Sequence, residues 1–259
     1  MKKIIISLLC ICFISLSGIS QEKKTDLKTK EQINFLDSNK LKQGYWIEKD
    51  RQFNYSGNYI DGLKEGVWVT HQKNNFFHEL QIYHKNKKNG IHIKIDRRGY
   101  FLVEEYFKND SLDGVSKHYT RSSVPRSIIS YKNGKIDGLK QIYYENRANR
   151  ILEETYYKNG LKNGLSKWYD ENGRLMAKYN YKNNAFDGEQ FTYHPNGEIM
   201  TKETYKNNIP VGIYHEYFDN GKIKVEGSYT DGLKHGKWKE YNEEGKVVKV
   251  IRYKKGVAK

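Results

Sequence analysis

YKNGLKNG, residues 157–164, decides how the rest of this chain is read, because the chain keeps returning to it. YKNG stands again at 131–134, YKNN at 181–184 and 205–208, FKND at 107–110, YIDG at 59–62 and YTDG at 229–232. The second glycine of the stretch aligns with Gly44, Gly66, Gly90, Gly114, Gly138, Gly164, Gly188, Gly212 and Gly236, in steps of 22, 24, 24, 24, 26, 24, 24 and 24 residues. Seven positions upstream an aromatic repeats as strictly: Tyr59, Tyr83, Phe107, Tyr131, Tyr157, Tyr181, Tyr205 and Tyr229, with Tyr253 closing the series. A fixed period of this size specifies a repeat architecture.

A second turn falls half a period later, as YDENGRL (169–175), YHPNGEI (193–199), YFDNGKI (217–223) and YNEEGKV (241–247). Asn-Gly between apolar, aromatic-rich runs marks a hairpin, since both central residues of a type I′ turn need positive φ. Each 24-residue unit is therefore two short strands and two turns. A helix needs apolar spacing of three and four over about ten residues, and a turn signal interrupts every such window, so none is expected after residue 40. The expectation is an all-β fold, an elongated single-layer antiparallel β-meander of about nine hairpin repeats over 41–259, each advancing about 10 Å. Equivalent residues should form columns, with Tyr119, Tyr143, Tyr169, Tyr193, Tyr217 and Tyr241 on the first strands. Phe101, Ile151, Leu175, Ile199, Ile223 and Val247 form the column on the second strands. Contacts along these columns are expected to supply most of the stability. With 37% apolar residues, 22 tyrosines and three prolines, the composition suits a thin sheet rather than a thick core.

The chain opens differently. Lys2 and Lys3 precede an apolar run from Ile4 to Leu16, and Gly18-Ile19-Ser20 supplies small residues, which reads as a secretory signal peptide over 1–20. A membrane anchor would need about 20 apolar residues. Gln21 stands where a lipoprotein would carry cysteine, and both cysteines, Cys10 and Cys12, fall inside the removed segment. Losing Lys2 and Lys3 takes the formal charge from +15 to +13. Residues 21–40 form a flexible polar leader in this reading, and the mature protein is expected to be exported: periplasmic, surface-bound or secreted.

GNYIDGLKEGVW (57–68) and GSYTDGLKHGKW (227–238) resemble MORN repeats, and YKNGLKNGLSKWYDENGRL (157–175) is similar to the bacterial MORN variant of YwqK-type antitoxin-like proteins. The resemblance spans about 41–256. It implies a non-enzymatic binding ribbon, spacer or oligomerising module, while the export signal departs from a cytoplasmic antitoxin. The insertion near Arg147-Ala148-Asn149-Arg150 and the SSVP stretch at 122–125 break the turn pattern and mark the most individual loops.

The residues themselves offer little chemistry. His71, His78, His84, His92, His118, His194, His215 and His235 are scattered over the repeat without a metal-ligand spacing. Asp61, Asp113, Asp137, Asp187 and Asp231 each precede a glycine, where a turn accounts for them. No GxSxG or phosphate loop is present. Catalytic, cofactor and metal sites are therefore not expected, unless scattered His and carboxylate groups meet in space.

Lysine is the stronger lead. Lys108, Lys132, Lys158, Lys182, Lys206 and Lys254 each follow the anchor aromatic by one residue and should form a row about 10 Å apart. Such a row attracts polyanions, or else keeps the ribbon soluble and unpaired. Trp46, Trp68 and Trp238 sit two residues after their glycines and Trp168 four after, a pattern that suits packing or a sugar- or choline-binding face. The functional expectation is an exported, non-catalytic scaffold that binds another protein, with an antitoxin- or immunity-like role carried by the resemblance. The alternative is an acidic envelope glycan or anionic lipid surface held by the lysine row, and nucleic acid is disfavoured by export and by the absence of a recognition motif.

Overall fold

The computed structural model describes residues 33–259, so the expected signal peptide and the first part of the leader lie outside the described residues. The described residues form one compact unit. It is a single open sheet in which each strand pairs antiparallel with its neighbour in sequence, and no helix occurs among the described residues.

Each unit pairs a glycine-bearing strand with a return strand, as Leu161–Tyr169 with Leu175–Lys182. Nine such pairs run from Lys42–Lys49 with Phe53–Ile60 to Leu233–Tyr241 with Val247–Lys254. At Asp113 and Asp187 the glycine-bearing strand is split, giving Ser111–Leu112 with Gly114–Tyr119 and Ala185–Phe186 with Gly188–Tyr193. The end of the expected leader joins the sheet: Phe35 and Leu36 pair with Gln43 and Lys42. The Asn34 side chain accepts from the Ile47 N–H at 2.8 Å and donates to its carbonyl at 3.3 Å.

The two turns differ in kind. At the recurrent YKNG tip both central residues have positive φ, 50° at Asn159 and 84° at Gly160, as a two-residue type I′ connection requires. At the ENG turns only the glycine is left-handed, 84° at Gly173, and the Gly173 N–H donates to the Asp170 carbonyl while Asp170 N–H donates to Arg174 O. That is a type I turn closed by a left-handed glycine, so the type I′ geometry belongs to the tips rather than to the ENG turns. Tips are laced to the unit before: Asn133 N–H donates to Asp113 Oδ2 at 3.0 Å and Asn159 N–H to Asp137 Oδ2 at 3.0 Å.

The aligned glycines lie inside strands, not in turns. Gly164, at φ 107°, forms a bulge in which the five residues from Lys162 to Ser166 oppose the three from Tyr157 to Thr155. The bulge decides which side chains go inside. Two residues after six of the nine glycines, Trp68, His92, Ser116, Ser166, Gln190 and Trp238 are buried, between 0 and 9% exposed, and at the other three Trp46, Lys140 and Tyr214 are half-buried. They alternate with the return-strand residue two before each anchor aromatic, through pairs such as Trp68↔Gln81, His92↔Glu105 and Thr155↔Ser166. This row runs along one face, the inner face, and carries the anchor aromatics beside it.

The expected columns sit elsewhere. The tyrosine column lies on the outer face and is half-buried, its hydroxyls donating to carboxylates of the adjacent return strand: Tyr169 to Glu154 at 2.9 Å and Tyr241 to Glu226 at 2.7 Å. In the column on the second strands Val247 is exposed. The glycine bulge moves the best-enclosed row three residues from the position that the tyrosine periodicity marks.

Candidate interaction surfaces

The outer face near the tips follows from strand alternation. Since the anchor aromatic points inward, the residue after it points outward. Lys108, Lys132, Lys158, Lys182, Lys206 and Lys254 are accordingly exposed at the ends of the return strands, each facing a residue across the tip turn. The facing residues are Ser111, Lys135, Leu161, Ala185, Ile209 and Val257. None of the six lysines lies in an ion pair among the described residues. Beside them the same strip exposes Ile60, Leu63, Val67, Leu161, Ile209, Ile213 and Leu233. Sequence periodicity located the lysines but not these apolar neighbours, of which Leu63, Leu161, Ile209 and Leu233 stand three before an aligned glycine and Val67 and Ile213 one after.

The inner face has a different chemistry. At both ends it is aromatic. The Trp68 indole lies over Gly57 and donates from Nε1 to Asn58 O at 3.1 Å, and Trp238 lies over Gly227 and donates to Ser228 O at 3.2 Å. Both indoles are buried, which makes packing their role, and lysines cover them: Lys64 Nζ is 4.1 Å from the Trp68 ring and Lys234 Nζ is 4.0 Å from that of Trp238. Burial pushes the Lys64 ammonium below its ordinary pKa.

Between these ends the row is polar. His92 contacts Glu79 through Nε2 at 2.9 Å and Glu105 through Nδ1 at 3.0 Å, and His118 Nε2 lies 3.1 Å from the other oxygen of Glu105. Two carboxylates on two ring nitrogens require an imidazolium. Burial opposes that charge, and the two carboxylates outweigh it and raise the His92 pKa. In turn the His92 hydrogen bond holds the Glu79 carboxyl below its usual range. Two units further, the fully buried Thr155 hydroxyl donates to Glu153 Oε1 at 2.7 Å and meets Ser166 Oγ at 2.6 Å, while Lys140 reaches Glu153 Oε2 at 3.4 Å.

Scattered histidines and carboxylates thus do meet in space, which spacing in the sequence did not reveal. Their geometry is that of satisfied hydrogen-bond partners: both nitrogens of His92 are engaged, leaving neither as a free base or ligand. No group of three or more metal-ligating side chains fit to hold an ion occurs among the described residues. The strands beside the two irregular loops line a depression of about 630 Å³ with His118, Arg126, Tyr143, Tyr144 and Glu145, and Arg126 and Glu145 are ion-paired there.

Comparison with known families agrees with this architecture. Residues 162–183, 186–207, 210–231 and 234–255 match the family model described as MORN repeat variant, four consecutive units in the register found here. No curated protein matches the chain. MORN repeats are commonly protein- or membrane-binding modules, and a scaffold of this kind is typically non-catalytic.

Proposed function

We propose that the mature chain is an exported, non-catalytic scaffold that holds another protein against the outer hairpin-tip strip. The observation that carries this reading is the composition of that strip, in which exposed Leu63, Leu161, Ile209 and Ile213 alternate with unpaired lysines. Apolar side chains exposed in register along a sheet bury area on contact, and the flanking cations orient an acidic partner. An antitoxin- or immunity-like role is one form of this scaffold, with the held protein as its target. The test is capture from an envelope or culture-supernatant fraction with the mature chain as bait, beside a variant carrying Ile209→Asp and Ile213→Asp. A stoichiometric protein that the wild type retains and the variant loses supports the proposal; no such protein, with turnover of a substrate, refutes it.

The six unpaired lysines favour a second reading, in which an acidic envelope polymer or anionic lipid surface is the partner. Salt separates the two, because polyanion binding falls steeply with ionic strength and an interface with an apolar centre does not. Reversing Lys132, Lys158, Lys182 and Lys206 to Glu should abolish binding to anionic vesicles or acidic glycan without loss of fold. Absence of such binding at low salt removes this reading.

A further inference from the structure

The inner face repeats one arrangement in three places. A ring two residues after the aligned glycine meets the next anchor aromatic edge to face, and the lysine two residues before the glycine lays its ammonium over both. Trp46 and Tyr59 are 5.9 Å apart at 84°, with Lys42 Nζ 4.8 Å from each ring. Trp68 and Tyr83 are 6.5 Å apart at 84°, with Lys64 Nζ at 4.1 and 5.2 Å. Trp238 and Tyr253 are 6.2 Å apart at 76°, with Lys234 Nζ at 4.0 and 5.4 Å. In the first of these a carboxylate two residues beyond the tryptophan, Glu48, completes the arrangement by pairing with Lys42.

A fourth copy lacks the cation, and in it the next indole, Trp238, stacks on one side of the first ring, Tyr214, at 5.4 Å. Tyr214 and Tyr229 stand 6.1 Å apart at 90°, Glu216 occupies the place of Glu48, and the lysine position is Pro210. No lysine or arginine of the described residues lies over this ring pair. A second carboxylate, Glu203, stands on the neighbouring return strand where Gly57 and Gly227 stand beneath Trp68 and Trp238. Glu203 accepts only from the Tyr205 hydroxyl, at 3.2 Å, and has no ion-pair partner among the described residues, whereas Glu216 is paired with Lys224 at 2.6 Å. Glu203, Tyr214, Glu216, Tyr229 and Glu240 line a cavity of about 440 Å³, with Lys234 on its far wall over Trp238.

We infer that this cavity binds an alkylammonium group supplied from outside the chain, carried by a lysine side chain or a free amine. The ammonium takes the place over Tyr214 and Tyr229 that Lys42, Lys64 and Lys234 take in their own units, and its charge is met by Glu203. Glu203 has no ion-pair partner among the described residues; burial raises its pKa, and burial first and the nearby carboxylates second push Tyr214 up to about 12. A cation over aromatic faces in a partly desolvated site is stabilised by the rings as well as by the carboxylate. The site lies on the face opposite the hairpin-tip strip and does not depend on the role proposed for that strip.

The full mature chain is titrated with Nα-acetyl-lysine methylamide, with n-butylamine, and with the Nε-acetylated lysine derivative, following the Trp238 indole N–H and the tyrosine ring signals by NMR. Binding of either ammonium probe with no binding of the acetylated one is the expected result. The lysine derivative alone points to a lysine-bearing segment, and butylamine as well points to amines in general. Glu203→Gln, a near-isosteric change, should weaken the bound probe about tenfold. Pro210→Lys places the chain's own ammonium over the ring pair, as Lys234 does one unit on, and should abolish binding, while Pro210→Ala retains it. Equal binding of the acetylated probe, no ammonium binding at all, or a Pro210→Lys variant that binds as well as Pro210→Ala overturns the inference.

Discussion

Replacing Gly227 by alanine tests whether close packing of one indole holds the C-terminal units together. Gly227 lies outside the left-handed region, so its backbone accepts an L-residue without strain. The added Cβ, however, would stand 2.2 Å from Trp238 Cδ2, 2.3 Å from Cε2 and 2.7 Å from Cε3. Ordinary contact between carbons is about 3.5–4.0 Å, so the indole must retreat by more than about 1 Å. Retreat is blocked on the other sides by Tyr214, stacked at 5.4 Å, by Tyr229 at 5.1 Å and by the Lys234 ammonium. Overpacking of this kind costs about 1–3 kcal/mol, and expelling a buried tryptophan about 3–5, so a loss of about 3 kcal/mol is expected. In a Trp238→Ala background the clash is gone and the same substitution should be neutral, or stabilise by about 0.5 kcal/mol through lower chain entropy. Urea melts supply the double-mutant cycle, and hydrogen exchange localises the loss to residues around 209–254. If Gly227→Ala costs under about 0.5 kcal/mol, or costs as much without the indole as with it, the close-packing account is wrong.

Thr155→Val keeps the volume but removes a hydroxyl that joins Glu153 and Ser166; stranding those groups should cost about 1–3 kcal/mol in a thermal or urea melt, and a neutral result would show that the polar row contributes nothing. His92 faces Glu79 and Glu105 from the strands on either side, with Lys94 on its own strand and His118 beyond Glu105. Its pKa is raised by folding, so its stabilisation is fully present below the unfolded value of about 6.5 and is lost as pH rises through the folded value. The urea midpoint should therefore fall from pH 6 toward pH 9, and His92→Gln should flatten that slope; parallel slopes would refute the assignment. Deleting residues 165–188 joins Gly164 to Glu189 and preserves the bulge and its register, so circular dichroism should show an intact sheet with a modestly lower midpoint, and global unfolding would contradict nearest-neighbour stability.

The period, the tips and the strand pairing were legible because each rests on local chemistry. Asn-Gly favours positive φ wherever it occurs, and a 24-residue step needs only counting. The exposed placement of Lys158 followed from the inward aromatic beside it. The inner row was harder to see, because the bulge at Gly164 changes which residues oppose one another, and strand alternation counted from Tyr169 does not lead to Ser166. Once the bulge is known, the position two after each glycine reads Trp46, Trp68, His92, Ser116, Lys140, Ser166, Gln190, Tyr214 and Trp238. That string carries the aromatic ends and the polar middle in plain view. The meeting of His92 with Glu79 and Glu105 needed cross-strand register, since each carboxylate lies 13 residues from the histidine in sequence. Pro210 gained meaning only by comparison with the lysines in equivalent places.

Variation along the inner row answers a difficulty that repetition creates. Units with the same tips and the same bulge can pair with a neighbour one unit too far along, and backbone hydrogen bonds alone do not oppose that slip. The inner residues do. In the native register Trp238 meets Gly227 across the tip, the one residue type that leaves room for the indole. A slip of one unit would set Trp238 against Glu203, crowding the indole and burying a carboxylate beneath it. The same slip would separate Thr155 from Ser166 and put Ile129 in its place, stranding a buried hydroxyl. It would also separate Glu79 from His92 and His118 from Glu105, leaving His92 charged with one partner instead of two. Each mismatch leaves a buried polar or charged group unpaired, at about 1–3 kcal/mol apiece, and the penalties fall in different units. The polar middle therefore costs packing that an all-aromatic row would gain, and in return it fixes which unit follows which.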